Sequence, residues 1–319
     1  MTRVKVLYIA GWARSGSTFL DTLLGEIDGF FSAGELRSIW ERGLGRGWQC
    51  GCKKPVGECE VWNSVLERAY GELNPSPLDD PARIWALQQS HVRLRHLPRL
   101  LRLQKKSARL PAGLREYVGI QDRLYRSIAE VTGARVVVDS SKLPQDAAVL
   151  RLLPNVDNYL IHLVRDPRGV ARSMQREMLM QESETDPVEM PRSRPAESAA
   201  GWVRANIAGE LMRRNYGAEH SATIRYESLV TSPTTTLRAI ARMVGEPFDG
   251  VDLIDDRVIS LRGNHTVWGN PSRFKTGAIE IRNDDVWKRD LPTRDRLVST
   301  AMSLPLLARY GYPLGKGKA

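Results

Sequence analysis

Cysteine is scarce in this 319-residue chain, which has only Cys50, Cys52 and Cys59, all within a stretch of ten residues. So small and odd a number excludes the disulfide framework of a compact secreted protein. Long apolar runs are also missing, because none approaches the ~18 residues of a membrane span. The N-terminus lacks the small-residue cleavage site of a signal peptide. We therefore expect a cytoplasmic protein with no membrane span.

The composition is that of a globular protein, with 42% apolar and 26% charged residues. The length allows one large domain or two ordinary ones, and a core that needs neither disulfides nor metals. Lysine and arginine number 47 against 37 acids, which gives a net charge of +10. An arginine-rich basic protein suits anionic partners such as phosphates, sulfates, nucleic acid or acidic lipid. GC-rich codon usage explains the same excess equally well.

Short β-rich runs alternate with helical patterns along most of the chain. Strands are predicted at residues 4–10, 30–33, 135–139, 159–164 and 222–226. This alternation predicts an α/β fold, with a parallel sheet flanked by helices on both faces. The helical stretch 60–131 interrupts it and is predicted to be an insertion or cap within a single domain, 1–319. The polar stretch 181–199 holds three prolines and is predicted to be a mobile loop before a helix from Ala200.

The first predicted strand runs into a glycine-rich stretch, GWARSGST at 11–18, and then into a helix. Backbone N–H groups converge at such a helix start, and the helix dipole favours negative charge there. The spacing matches the Walker pattern G-x-x-x-x-G-K-[ST], except that Ser17 stands where the lysine should be. Loss of that lysine argues against ordinary ATP or GTP hydrolysis, and Arg14 supplies a cation three residues earlier. The stretch predicts a phosphate or sulfate site rather than a merely structural turn.

A second motif follows the strand predicted at 159–164. Arg165 stands at the strand end, Asp166 and Pro167 are suited to start a helix, and Ser173 lies two helical turns after Arg165. An arginine and a hydroxyl are thereby placed at the carboxyl end of the sheet, where open α/β folds bind ligands. The alternative is a capped helix with solvated arginines.

With these two motifs the chain resembles sulfotransferases that use 3′-phosphoadenosine-5′-phosphosulfate, most closely their prokaryotic, tyrosylprotein and carbohydrate branches. The family's 5′-phosphosulfate loop, [RK]-S-G-[ST]-[ST], is matched at 14–18, and its 3′-phosphate motif by Arg165 and Ser173. The YESL segment at 226–229 is similar to the family's Y-E-[DS]-L, and GNPSRFK at 269–275 is similar to its cofactor-closing loop. The resemblance implies these cofactor-binding residues: Arg14, Ser15, Gly16, Ser17, Thr18, Arg165, Ser173, Tyr226, Arg273 and Lys275.

The resemblance also implies a fold and a reaction. The fold would be a P-loop NTPase-like parallel sheet with a helical insertion. The reaction would transfer a sulfuryl group to a hydroxyl, or less favourably an amine, of a small-molecule, lipid or carbohydrate acceptor in a bacterial cell. No metal and no nucleic acid would be required. The chain lacks the K-[ST]-G-T-[TS]-W loop and the R-K-G element of cytosolic phenol and steroid enzymes.

Four residues are predicted to carry the chemistry, three of them through this resemblance and His265 through its position in the loop-rich tail, just before the segment 269–275. Arg14 would stabilise the leaving oxygen, and Lys142, after the strand at 135–139, would face the sulfuryl group. Glu35, in a Gly-Glu segment like that of tyrosylprotein sulfotransferases, is the favoured base, although a helix cap explains it too. His265 is the second candidate for the base. In a nucleotide-hydrolase interpretation, Asp139 would instead be a magnesium ligand.

Two function classes and one metal site remain as alternatives. A P-loop kinase or nucleotide hydrolase is the first, and a basic nucleic-acid-binding protein is the second, although no nucleic-acid module is found. Cys50, Cys52 and Cys59 could begin a zinc site, but only three ligands are evident and no C-x₂-C pair exists. We therefore favour a buried or locally paired cysteine turn.

Overall fold

Strands and helices alternate through most of the computed structural model, which describes residues 3–104, 109–176, 179–181, 187–189, 192–251, 253–255 and 257–314. The strands are β1 (Val4–Gly11), β2 (Phe30–Ser32), β3 (Val136–Lys142), β4 (Val156–Val164), β5 (Leu179–Gln181), β6 (Pro187–Glu189), β7 (Ser221–Arg225), β8 (Leu253–Asp255), β9 (Val258–Leu261) and β10 (Gly277–Glu280). The helices are α1 (Ser17–Leu24), α2 (Glu60–Tyr70), α3 (Pro81–His91), α4 (Leu97–Leu103), α5 (Ala112–Thr132), α6 (Pro144–Leu150), α7 (Pro167–Gln175), α8 (Pro195–Tyr216), α9 (Tyr226–Thr231), α10 (Pro233–Met243), α11 (Trp287–Asp290) and α12 (Thr293–Arg309).

The main sheet has five strands in the order β2-β3-β1-β4-β7, and every pairing is parallel. Strand β1 lies at the centre, where Val6 is opposite Val137 of β3 and Asn158 of β4. The chain leaves β1 toward one side of the sheet and later returns to fill the other side. Ligands of open α/β sheets bind at such a switch point, outside the carboxyl ends of the strands. The predicted P-loop-like fold class is confirmed.

Alternate residues of β1 enter two different cores. Val6 and Tyr8 join the cluster packed against α2, α5, α6 and α8, whereas Leu7 and Ile9 join the one packed against α1, α9 and α10. All four side chains are fully buried. A strand that is covered on both faces has a continuous run of apolar residues, and this run is why β1 can be predicted from the sequence.

Helices α2 to α5 lie between β2 and β3 and form the predicted helical insertion. Helix α2 packs along α5, where the Tyr70 hydroxyl donates to the carbonyl of Ile120 over 2.8 Å. The apolar residues of these helices share one buried cluster with Val6 and Tyr8. Among the described residues, no helix combines the length and the apolarity that crossing a bilayer requires.

Two regions differ from the sequence-based expectations. The predicted loop at 181–199 falls partly outside the described residues, but it contains strand β6, which pairs antiparallel with β5 at the start of the stretch. Helix α8 begins at Pro195, earlier than Ala200, because proline suits a first helical turn and Glu197 accepts from the Arg194 N–H over 3.2 Å. The small antiparallel sheet β10-β9-β8 was not predicted, since strands of three or four residues leave almost no periodic signal.

Candidate active site

A cleft with about 690 Å³ of empty space, part of it open to solvent, lies at the carboxyl edge of the main sheet. Each of the five parallel strands is followed by at least one of its lining residues. These residues are Ala13, Arg14, Gly16, Ser17, Thr18 and Phe19 after β1, Glu35 after β2, Lys142 at the end of β3, Arg165 and Ser173 after β4, and Tyr226 after β7, with Asn270 and Ser272 from the C-terminal region.

The glycines of the loop at 11–18 are required by close contacts. Gly16 has φ +90°, and a Cβ there would lie 2.4 Å from the ring of Tyr226. A Cβ at Gly11 would lie 2.7 Å from the carbonyl oxygen of Leu163 in β4. Helix α1 begins directly after this tight turn, at Ser17. The loop therefore brings a helix N-terminus to the cleft, which is a favourable position for an anion.

The cleft concentrates positive charge around the loop. Burial, and then the neighbouring Arg165 and Arg176, lower the pKa of the Arg14 guanidinium from its ordinary value. This direction means that Arg14 lies in surroundings that disfavour its charge. An anion bound among these side chains would relieve that repulsion.

Arg165 is held in place by three partners. It is only 6% exposed, and its Nη1 donates to the carbonyl oxygen of Arg14 over 2.8 Å. Its Nη2 forms a 2.7 Å ion pair with Asp284, and its guanidinium lies 4.5 Å from the centre of the Tyr226 ring. The arginine is thereby oriented at the cleft before any ligand arrives, and Ser173 lines the same cleft from helix α7.

Glu35 and Lys142 form an ion pair at another side of the cleft. The Glu35 N–H donates to the carbonyl of Trp268 over 3.1 Å, and a Cβ at the preceding Gly34 would lie 2.7 Å from that same oxygen. Lys142 has φ +70° at the end of β3, where the pairing of β1 with β3 shifts its register. Both side chains are largely buried, with exposures of 13% and 15%. Two of the residues predicted to be catalytic therefore contact each other.

The model of the sulfotransferase family matches residues 7–250. The chain belongs to the sulfotransferase family. The resemblance seen in the sequence motifs is thereby confirmed.

Two solved structures are similar over nearly their whole length. The sulfotransferase domain of the Synechococcus PCC 7002 olefin synthase is 19% identical with a TM-score of 0.52, over 98% of this chain and 97% of that one. The sulfotransferase domain of the curacin biosynthetic pathway is 18% identical with a TM-score of 0.51, over 99% of this chain and 100% of that one. At such identities the likeness shows the fold. No curated protein matches the chain.

In this sulfotransferase-family chain, four residues predicted for the site do not line the cleft. Arg273 is fully buried and donates to the carbonyls of Gln49 and Thr266 over 3.0 and 3.1 Å. Its short 3₁₀ turn, Pro271–Phe274, presents Ser272 to the cleft instead. The remaining three are the exposed Lys275, the buried Ser15, and His265, whose Nδ1 faces Cys50 and Cys59.

Several cleft residues were missed by the sequence analysis. Asn270 and Ser272 belong to the recognised GNPSRFK segment, and the Asn-Pro pair is itself a capping signal. The Asn270 N–H donates to Thr18 Oγ1 over 3.0 Å, which ties this segment to the loop. Asp284, which pairs with Arg165 but does not line the cleft, carried no sequence signal either.

A buried carboxyl group lies in helix α1, next to the loop. Asp21 is fully buried, and burial raises its pKa to about 8. Ser32 and Ser140 partly offset this increase, since hydroxyl donors favour the charged form.

The carboxylate of Asp139 forms its hydrogen bonds away from the cleft. It accepts from the Tyr125 hydroxyl and from the N–H of Ser141 over 2.8 Å. Burial raises its pKa to about 6. It lines a separate small cavity beside Arg37 and Asp146, so the geometry does not favour the alternative in which it binds catalytic magnesium.

Proposed function

We propose that this sulfotransferase-family protein transfers a sulfuryl group from 3′-phosphoadenosine-5′-phosphosulfate to an organic acceptor. The acceptor group would be a hydroxyl, with an amine less favoured, on a small molecule, lipid or carbohydrate. The observation that carries the proposal is the joint placement of Arg14, Lys142 and Arg165 around the N-terminus of α1. A donor that carries anionic groups at its 3′ and 5′ positions needs cations at separate places. These side chains would supply the positive charge that the missing Walker lysine would otherwise provide.

The cofactor's two anionic ends would occupy different parts of the cleft. Arg165 and Ser173 would hold the 3′-phosphate, with Tyr226 packed against the guanidinium. The loop at 14–18 and the N-terminus of α1 would hold the 5′-phosphosulfate through backbone N–H groups and hydroxyls. Asn270 and Ser272 would form the opposing wall, supported by the inward-facing Arg273.

The chemistry would be an in-line displacement at sulfur. The acceptor oxygen forms a bond to sulfur while the bond from sulfur to the 5′-phosphate oxygen breaks. Glu35 takes the acceptor's proton, and Arg14 with the helix N-terminus stabilises the charge on the departing oxygen. Lys142 orients Glu35 through their ion pair, and because it lines the same cleft it would support the sulfuryl oxygens. Positioning and electrostatics would supply most of the catalysis.

Arg165→Ala tests the 3′-phosphate site. Charge-assisted bonds of this kind contribute roughly 1.5–3 kcal/mol, so the affinity for phosphoadenosine phosphate should fall about 10–150-fold. Adenosine 5′-phosphate, which lacks the 3′-phosphate, should lose much less. Titration calorimetry with both ligands measures the difference.

Arg172→Ala is the matched control, because this arginine lies on helix α7, which begins two residues after Arg165, and is 30% exposed. It should change neither affinity. An equal loss of both ligands in Arg165→Ala would mean that the arginine only supports the loop through the carbonyl of Arg14, and would remove it from phosphate binding.

Binding without magnesium separates this proposal from its rivals. Cationic side chains replace a metal here, so phosphoadenosine phosphate should bind equally well with magnesium or after brief EDTA treatment. ATP and DNA should bind weakly in both conditions. A strict need for magnesium together with tight ATP binding would favour a kinase or hydrolase. A screen of acceptors with labelled phosphosulfate, followed by mass spectrometry, would then identify the substrate.

A further inference from the structure

Three cysteines and one histidine meet beside the wall of the cleft. The cysteine–histidine cluster consists of Cys50, Cys52, Cys59 and His265, and its four ligand atoms all lie within 4.8 Å of one another. The Nδ1 atom of His265 lies 3.2 Å from the Cys59 sulfur and 3.9 Å from the Cys50 sulfur. None of the three cysteines forms a disulfide.

These separations fit a tetrahedral metal ion. Zinc binds sulfur at about 2.3 Å and imidazole nitrogen at about 2.0 Å, which places sulfur and nitrogen ligands about 3.5 Å apart. The two measured sulfur–nitrogen distances lie on either side of that value. A set of soft thiolates with one imidazole selects zinc over the hard cations magnesium and calcium.

We propose that the cysteine–histidine cluster binds one zinc ion as a closed structural site. All four positions of the tetrahedron would be filled by the protein, which leaves none for a catalytic water. The proposal goes beyond sulfuryl transfer and does not depend on it. It assigns His265 to metal binding rather than to proton transfer.

The backbone from Cys50 to Lys54 forms a tight turn that brings the cysteine side chains close together. The Cys50 N–H donates to the carbonyl of Lys54 and the Lys53 N–H to the carbonyl of Cys50, both over 2.8 Å. Lys53 adopts φ +69° to close this turn. A Cβ at Gly51 would lie only 2.8 Å from the backbone carbonyl oxygen of Asn264, so glycine between the first two cysteines allows this close approach.

The histidine is held against this turn by two further hydrogen bonds. Trp62, near the start of α2, donates its Nε1–H to the carbonyl of His265 over 2.7 Å. The Gly51 N–H donates to the carbonyl of Thr266 over 2.9 Å. The ligands therefore come from segments 206 positions apart in the chain, and these hydrogen bonds join the two segments beside the cluster.

A zinc ion here would crosslink the wall of the cleft that Asn270 and Ser272 form to the cysteine turn. His265 is followed closely by Asn270 and Ser272, which line the cleft, and Arg273 links the same segment to Gln49 beside the cysteine turn. A metal that joins distant segments stabilises the folded chain over the unfolded one. The site would therefore fix the position of the wall while taking no part in the chemistry.

Metal analysis of the purified wild-type protein tests the proposal. Mass spectrometry of the native protein and elemental analysis should find about one zinc per chain. Growth with cobalt should give a folded protein with the absorption of tetrahedral, thiolate-bound cobalt. Metal-free protein with reduced thiols, or with a disulfide among the three cysteines, would overturn the proposal.

Variants then assign the ligands. Cys59→Ser and His265→Ala should lose the zinc, whereas His265→Cys should keep it because a thiolate can replace the imidazole. His220→Ala is the matched control, since this exposed histidine lies outside the cluster, and it should keep the full metal content. Unchanged zinc in both Cys59→Ser and His265→Ala would show that the metal lies elsewhere.

Wild-type protein provides a test that requires no variant to fold. Titration of its thiols with a mercurial should release the zinc in step with modification of the three cysteines. Zinc release before any thiol reacts would contradict the assignment. Both readouts follow the metal and not sulfuryl transfer, so this proposal and the proposed function can fail separately.

Discussion

The cleft takes most of its polar side chains from residues at or after the ends of the five parallel strands, whereas the cysteine–histidine cluster takes its ligands from two loops outside the sheet. The carboxyl ends of the five strands converge at one edge because every pairing in the sheet is parallel. Loops have no regular pairing of this kind. The two loops of the cluster are joined by individual hydrogen bonds, such as the one from Trp62 to the carbonyl of His265. The strand order of a sheet is thus enough to bring cleft residues together. A cluster built from two loops would gain more stability from a metal ion that joins the loops.

The two regions share one segment. Residues 264–273 contact the cysteine turn through Thr266, and Asn270 of the same segment donates its N–H to Thr18, at the end of the loop at 11–18. If the roles are separate, changes in the cleft should alter ligand binding or turnover and leave the metal content unchanged.

Glu35→Gln should have the largest effect. The amide keeps the shape and hydrogen bonding but loses the basicity, so kcat for the acceptor found by screening should fall by about 10²–10⁴. The loss in kcat should exceed any change in KM, since the proton moves only in the transition state. Binding of phosphoadenosine phosphate and the zinc content should barely change.

Glu41→Gln is the control for this variant, because Glu41 also forms an ion pair but does not line the cleft. His265→Cys separates the two roles considered for the histidine. If Glu35→Gln keeps near-native turnover while His265→Cys retains zinc and loses turnover, His265 is the base and the assignment of Glu35 is wrong.

Asp284→Ala should have a smaller effect, and it should strengthen the binding of phosphoadenosine phosphate rather than weaken function. Asp284, which is 39% exposed, pairs with the Arg165 guanidinium that would hold the 3′-phosphate. Removing the competing carboxylate should tighten phosphoadenosine phosphate about 2–5-fold, the range of an exposed ion pair. Adenosine 5′-phosphate should be unaffected. Calorimetry measures both ligands, with Asp285→Ala as the neighbouring control, and weaker binding in Asp284→Ala would assign the carboxylate a supporting role.

Asp21→Asn should have the smallest effect, on stability. Because burial raises the pKa of Asp21 to about 8, the folded state favours the protonated carboxyl. The free energy of unfolding should then fall as the pH rises from the ordinary aspartate value toward 8. Asparagine removes this dependence, so Tm should rise by about 2 °C or more at pH 8 and by less at pH 5. Equal shifts at both pH values in a thermal melt would contradict this interpretation.

The sequence predicted the five strands of the main sheet with small boundary errors, because each is a compact β-rich run. It also located the loop at 11–18 and the Arg165 motif, since their residues act at fixed short spacings. It did not separate Ser272 from Arg273 within one segment, because a single turn of backbone decides which side chain faces the cleft and which is buried. The roles of the predicted site residues stay predictions until the variants are measured.

Local properties of the sequence determined the parallel sheet and the glycine-rich loop at 11–18. The spaced motifs at 14–18 and 165–173 were enough to indicate the sulfotransferase family. Only the tertiary structure brought Glu35 into contact with Lys142, turned Arg273 inward and supplied His265 as the fourth member of the cysteine cluster. These contacts join residues that are far apart in the chain, and no local pattern encodes them. They depend on how the sheet, the helical insertion and the C-terminal segment pack together.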